Sequence, residues 1–158
     1  MCSKKATYQI TKGIRPIVWI LLENPHDASI EPIQVRALVD MGADASLIPS
    51  YLCQALGHSF EEGLSESSAS GISGEALRTF AHSTKLTVLF PTESDADTPQ
   101  TFDPIEFPCE FADQSLPFVL LGQQDFLRMF RYTQDGRAGW FSLEQVGASQ
   151  GDAANGVR

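Results

Sequence analysis

The chain has 158 residues, 42% hydrophobic and 20% charged, which sets it among globular proteins with one substantial core rather than among disordered chains. Eleven basic residues stand against 20 acidic ones, a formal net charge of −9, and a surface of that sign repels phosphate backbones, so no nucleic-acid partner is expected. The longest apolar run, Ile17 to Leu22, is far too short to span a bilayer, and the polar stretch Met1 to Lys12 lacks the apolar centre of a secretion signal; no membrane association and a cytoplasmic location are expected.

In chain order, an N-terminal segment of residues 1–13 precedes two β-rich stretches, Arg15–Leu22 (RPIVWILL) and Ile33–Val39 (IQVRALV), joined by the polar connection Glu23–Pro32. Tyr51–Leu56 suits a short helical turn. Lys85–Phe90 alternates, with Leu86, Val88 and Phe90 on one face, as a half-buried strand does. The acidic insertion that follows, residues 91–104, holds Asp95 and Asp97 in a spacing that mimics the start of a calcium loop. Neither the glycine nor the closing glutamate of such a loop comes in register, so a solvated loop is expected. Ile105–Phe111 alternates strictly, Ile105, Phe107, Cys109 and Phe111 against Glu106, Pro108 and Glu110, and Pro108 makes it an edge strand or an interrupted one. Pro117–Leu121 is wholly apolar and reads as a strand buried on both faces. Gln123–Phe130 suits two turns of helix with Phe126, Leu127 and Phe130 on one face, and Asp135-Gly136 turns the chain into a last strand, Ala138–Leu143. Residues 147–158 are small and polar and are expected to form a disordered tail. The class is all-β, with one domain over residues 14–146.

Metal and nucleophile signals are weak. Cys2, Cys53 and Cys109 are odd in number and widely spaced, which suits neither a disulfide framework nor a metal knuckle, and they read as buried or incidental thiols. His26, His58 and His82 have no ligand spacing, and there is no G-x-S-x-G elbow. No metal and no cofactor are expected.

The informative stretch is ALVDMGADASLIP, Ala37–Pro49. An aspartate at a strand end is most often a turn former or a helix cap. Here Asp40 follows the apolar Ala37-Leu38-Val39, so its backbone leaves a core strand. Gly42 permits a sharp turn and brings backbone N–H groups near the carboxylate. Ala45–Pro49 resumes a buried pattern at once, so the acid sits on a loop pinned at both ends, and a carboxylate in that position needs partners.

These residues resemble the active-site segment of the retroviral-type aspartic proteases, the retropepsins, whose usual form is A-L-[VI]-D-[TS]-G-A-[DS]. Two further segments are similar to that family in the same order: SGISGE, Ser70–Glu75, to its glycine-rich flap, and FVLLGQQDFL, Phe118–Leu127, to its closing strand, glycine and short helix. The likeness covers residues 14–143. It implies a closed β-barrel with one short C-terminal helix, assembling as a homodimer in which each chain gives one aspartate to a site on the two-fold axis. Asp40 is the single candidate: Asp95, Asp97, Asp103, Asp113, Asp125, Asp135 and Asp152 lack the apolar lead-in and the glycine two residues on.

The resemblance also implies roles. Gly42 holds its N–H toward the carboxylates, and Asp44 contacts the substrate backbone. Gly71, Ile72, Ser73 and Gly74 form a flap over a bound peptide. Leu121, Gly122 and Gln123 support the site from the second motif, while Ala43, Ile72 and Phe118–Leu120 line pockets. The implied activity is peptide hydrolysis. Two positions depart from the family. Met41 stands where a Thr or Ser hydroxyl braces the partner's loop, and methionine cannot donate or accept comparably. Gln123 stands where viral relatives usually carry Arg, and glutamine keeps a hydrogen bond without the charge. Met41 thus supports a second reading, a dimeric peptide-binding module with weak or no turnover. A small-ligand β-barrel is a third, which the flap and active-site motifs oppose.

Overall fold

In the computed structural model, residues 3–10, 15–70, 74–91, 98–113 and 116–146 are described. Their regular elements are β1 (Lys5–Gln9), β2 (Ile17–Glu23), β3 (Ile33–Val39), β4 (Leu47–Pro49), α1 (Tyr51–Ala55), β5 (Ser65–Ser70), β6 (Ala76–Val88), β7 (Ile105–Ala112), β8 (Val119–Leu121), a 3-10 turn (Leu127–Met129), β9 (Phe130–Asp135) and β10 (Trp140–Gln145). Cys2, Gly71, Ile72, Ser73, Asp95, Asp97 and the tail over residues 147–158 lie outside the described residues.

Six strands close into a barrel in the order β2–β3–β8–β4–β7–β6, with β6 pairing back onto β2, and β5 continues the sheet outward from β6. Closure removes the free edges that an open sheet of such apolar strands would expose. Alternation decides what faces inward: Val18, Ile20 and Leu22 of β2, Ala37 and Val39 of β3, Ile48 of β4 and Leu86 and Val88 of β6 are all buried. Each large aliphatic side chain removed from water in this way contributes about 1.5–3 kcal/mol. Pro108 pairs with Ser83 of β6, but the pairing of β7 with β4 begins only at Glu110. The proline therefore sits where β7 is bonded on one side, and its missing N–H interrupts nothing there.

The strand that organises the barrel is its shortest. β8 lies between β3 and β4, parallel to β3 (Ala37↔Val119, Leu38↔Leu120, Val39↔Leu121) and paired antiparallel with β4 at Leu47↔Leu120. The two strands flanking the Asp40 loop are thus both held by a strand more than seventy positions later in the chain.

A second sheet, β1–β10–β9, packs beside the barrel. The N-terminal segment set apart as residues 1–13 supplies β1, whose Ala6 and Tyr8 are buried. Tyr8 stacks on Phe141 with centroids 4.9 Å apart, and its hydroxyl donates to the Leu89 carbonyl at 2.9 Å, tying the small sheet to the barrel. Phe130 stacks on Phe126 at 4.7 Å and meets Phe102 edge-on at 5.1 Å. The two helical turns expected over Gln123–Phe130 are reduced to the single 3-10 turn Leu127–Met129, and the one α-helix among the described residues is α1. The physical reason is local. The Asp125 carboxylate takes the Phe126 N–H at 2.6 Å, competing with helical hydrogen bonding, and Phe130 is already extended (φ −134°, ψ 141°) as it enters β9. Among the described residues no helix is long and apolar enough to cross a membrane.

Two histidines pack together, one of them in the barrel wall on β6. His82 is 5% exposed, and His58, just past α1, stacks on it with centroids 4.7 Å apart while Phe111 meets both rings edge-on. His82 Nε2 lies 3.0 Å from the Phe60 carbonyl, an acceptor, so this nitrogen carries the proton. His58 Nε2 is buried without a hydrogen-bond partner among the described residues. Burial first, then charge on His82, holds the His58 pKa below the usual histidine value, against an opposing hydrogen bond that the His58 ring donates to the Ser83 backbone. Because the folded pKa is the lower one, the unfolded chain takes up the proton first as pH falls, so stability drops below the unfolded value of about 6.5. The melting temperature should fall between pH 7 and pH 5, and His58→Phe, which keeps the stack without titrating, should shrink that fall. Equal falls in both proteins would contradict this assignment.

Candidate active site

β3 carries Ala37 and Val39 into the core, and the next residue, Asp40, begins the loop. Both flanking strands keep hold of the chain at this point. The Val39 N–H donates to the Pro16 carbonyl and the Asp40 N–H to the Leu121 carbonyl, each at 2.9 Å. Pro16 has no N–H to return, so its pair with Val39 is one-sided. The β2–β3 register, Ile17↔Leu38, continued through this bond brings Arg15 across from Asp40. Strand alternation places Arg36, Leu38 and Asp40 on the outer side of the barrel wall, opposite Ala37 and Val39.

The loop closes tightly on its acid. The Gly42 N–H donates to Asp40 Oδ1 at 2.9 Å, and the Ala43 N–H donates to the Asp40 carbonyl at 3.2 Å. A Cβ at residue 42 would stand 3.2 Å from Asp40 Oδ1, crowding the carboxylate. Three consecutive contacts then bind the loop to the segment after β8. The Gln123 side chain donates to the Met41 carbonyl, the Gln123 N–H to the Ala43 carbonyl at 2.9 Å, and the Gln124 N–H to the Asp44 carbonyl at 2.7 Å. Gln123 therefore supports the loop backbone, and Asp44 is exposed. Met41 is 53% exposed, one of the more exposed large apolar side chains among the described residues.

Beneath the loop lies a polar cluster. Ser46, fully buried, donates from Oγ to Asp125 Oδ1 at 2.6 Å and from its N–H to Asp125 Oδ2 at 2.8 Å, and its Oγ accepts the Gly122 N–H at 2.9 Å. Hydrogen bonds to an ionised group are worth about 1.5–3 kcal/mol each, so this cluster is strong for its size. Gly122 is pressed against the loop: a Cβ there would lie 2.4 Å from the Ala45 carbonyl carbon and 2.5 Å from its oxygen.

Beside Asp40 the outer wall is apolar. Ile17↔Leu38, Leu38↔Leu120 and Leu47↔Leu120 are register partners, and all four side chains are half-buried, forming a band across four strands. β5 and β6 form the hairpin expected to carry the flap, paired as far as Ser70↔Ala76, and Gly74 takes φ +76°, a left-handed conformation that favours glycine. Gly71, Ile72 and Ser73 lie outside the described residues. Among the described residues no group of three or more His, Cys, Asp or Glu side chains is placed to hold a metal.

Ser46 and Asp125 are the parts of the site that sequence reasoning passes over, and Arg15, across from Asp40 by register, is a neighbour of the loop. Asp125 fails the test for a catalytic acid, having no apolar lead-in, and its bond to a serine 79 positions away leaves no local trace. Arg15 has a signal only in hindsight of register, since pairing Ile17 with Leu38 is what brings it opposite Asp40.

No family model and no curated protein matches the sequence. Among solved structures, a retropepsin-like aspartic protease from Rickettsia conorii matches with a TM-score of 0.52 and 13% identity, over 92% of this chain and 95% of that one. The EIAV protease complexed with the inhibitor HBY-793 matches with a TM-score of 0.44 and 23% identity, over 73% of this chain and 86% of that one. The barrel is thus the fold of a retropepsin-like aspartic protease.

The clamp on the loop can be tested by comparing glycines. Gly122→Ala must displace backbone and should cost about 3 kcal/mol or more, whereas Gly136→Ala, with no atom within 4 Å of the added Cβ, should change stability by well under about 1 kcal/mol. Chemical denaturation of the two variants decides it, and equal effects would contradict the close approach of β8 to Ala45.

Proposed function

We propose that the protein is an aspartic endopeptidase acting as a homodimer, each chain giving one Asp40 to a shared site. The observation that carries this reading is the Asp40 loop itself. Its carboxylate accepts the Gly42 N–H, its backbone is held by β2 on one side and β8 on the other, and it lies beside an apolar band in a fold shared with a known aspartic protease. A single chain offers one such acid, and the chemistry needs two.

Two carboxylates a few ångströms apart cannot both ionise cheaply, so the pair shares a proton. The ionised member takes a proton from a water lying between them, and that water attacks the scissile carbonyl carbon. The protonated member gives its proton to the carbonyl oxygen. Neither step calls for a metal or a cofactor. The substrate in this reading is an extended peptide whose apolar side chains rest on Ile17, Leu38, Leu47 and Leu120, with Ala43, Phe118 and Ile72 at the margins. Gly71, Ile72, Ser73 and Gly74 would close over it and exclude water. Asp44, exposed at the loop's end, would bond the peptide backbone.

A second reading is favoured by one position. The Met41 side chain projects from the loop and cannot make the hydroxyl bond that braces the two loops in the family. A dimeric peptide-binding module with little turnover would fit this.

Sedimentation at micromolar concentration should give about twice the chain mass, and Asp40→Asn, nearly isosteric, should keep the fold and abolish a peptidase activity that is best at mildly acidic pH. A monomer with or without peptide, or full activity in Asp40→Asn, would contradict the proposal. Restoring the hydroxyl with Met41→Thr should raise kcat/KM at least about tenfold by tightening the spacing of the acids, since misplacement by about 1 Å can cost on the order of 100-fold. If both forms dimerise and neither cleaves any peptide, the binding-module reading takes over.

A further inference from the structure

The outer face of β3 does not end at Leu38. Two residues further from Asp40, on the same side of the strand, stands Arg36, exposed, with its guanidinium carbon 5.4 Å from the centre of the Phe118 ring. Its register partner on β2 is Trp19, 48% exposed. Among the described residues no carboxylate pairs with Arg36. That is notable in a chain where 20 acidic residues outnumber 11 basic ones. Arg78, Arg131, Lys4 and Lys85 do pair with carboxylates, whereas Arg36, like Arg15 and Arg137, does not among the described residues, and of these three it is Arg36 that lies against an aromatic ring.

Stacking on an aromatic ring orients a guanidinium without using its edge. The planar fork stays available to a carboxylate in bidentate geometry, while the ring and the neighbouring indole limit how the side chain can swing. The position along the strand then matters. At about 3.3 Å per residue, Arg36 lies about 13 Å from Asp40 along β3, and an extended peptide covers that distance in roughly four residues. Leu38 and Leu120 fill the interval with apolar surface.

We propose that Arg36, held over Phe118 beside Trp19, is a specificity-determining residue that selects an acidic side chain of the bound peptide three to five residues from the cleaved bond. The reaction in this proposal rests on the endopeptidase reading; the recognition does not. With the overall charge at −9, an acidic peptide gains nothing from the protein's long-range field, so the effect is read at one position and not as general affinity for acidic chains.

The test uses dodecapeptides with apolar residues at the centre and Glu, Gln or Lys at each flanking position in turn. Cleavage is read as kcat/KM, and binding as quenching of Trp19 fluorescence in the full chain carrying Trp140→Phe, with and without Asp40→Asn. A charge-assisted bidentate contact predicts a Glu over Gln preference of about 10-fold or more at one flanking position. Arg36→Gln should bring that ratio to within about twofold, Arg36→Glu should turn it toward Lys, and Arg36→Lys, with charge but no fork, should keep only part of it. Cleavage with no acidic preference, or a preference that survives Arg36→Gln, would overturn the proposal. If no peptide is cleaved, binding decides alone: an Arg36-dependent Glu preference upholds the subsite while the endopeptidase reading fails, and binding indifferent to charge overturns the subsite.

Discussion

The approach of Gly122 to Ala45 is the constraint on which the rest of the site depends. A strand of three residues, β8, is inserted between the strand that enters the Asp40 loop and the strand that leaves it, and its end comes so close to the loop that no side chain fits. Only with that contact can the Leu121 carbonyl receive the Asp40 N–H, the Gly122 N–H reach Ser46, and the backbone after it cap the Ala43 and Asp44 carbonyls. The loop needs this because its own hydrogen bonds are few. Tight turns leave backbone groups unpaired, and each such group, if buried, is destabilising by about 1–3 kcal/mol. Partners from a distant segment remove that cost and at the same time hold a carboxylate still.

The electrostatics follow the same layout. The carboxylate of the site that is saturated with donors is that of half-buried Asp125, which takes the Ser46 Oγ and N–H and the Phe126 N–H and serves as an anchor. Asp40 is half-buried on the outer wall beside the apolar band, and among the described residues its carboxylate accepts one hydrogen bond, from the Gly42 N–H. One acid is consumed by structure; the other keeps an oxygen that, in the proposed dimer, would face water and a second carboxylate. The barrel sets an opposing demand. In the proposed dimer a proton shared by two Asp40 carboxylates would favour acidic conditions, whereas burial of His58 favours the neutral form of its ring, so the working range in pH would be bounded by the core on its acidic side.

Much of this was legible in the residues. The alternating or apolar runs at Ile33–Val39, Ile105–Phe111 and Pro117–Leu121 declare strands because burial imposes period 2, and they set the all-β class, whereas the closed barrel was implied by the family likeness alone. β5 and β9, SESSAS and FRYTQD, are mostly exposed and carry little apolar alternation, so nothing marks them until pairing with β6 and β10 makes them strands. β1 is too short to announce itself, and its anchor, Tyr8, bonds a carbonyl 81 positions away. The helix over Gln123–Phe130 has the right apolar spacing, but the Asp125 carboxylate takes the Phe126 N–H and the chain is already extended at Phe130. At the site, Asp40, Gly42 and Gly122 stand out as residue types that the chain could not replace freely. Ser46 and Arg36 look ordinary in the sequence, since what distinguishes them is a partner from another strand.

The central claim is that one functional site is built from two copies of the Asp40 loop. Its most direct test is the stoichiometry of a peptide isostere in which a hydroxyl-bearing tetrahedral carbon replaces the scissile carbonyl, measured by titration calorimetry against the full chain. The account predicts one isostere bound per two chains, with binding lost in Asp40→Asn. One isostere per chain, or binding unaffected by Asp40→Asn, would contradict it.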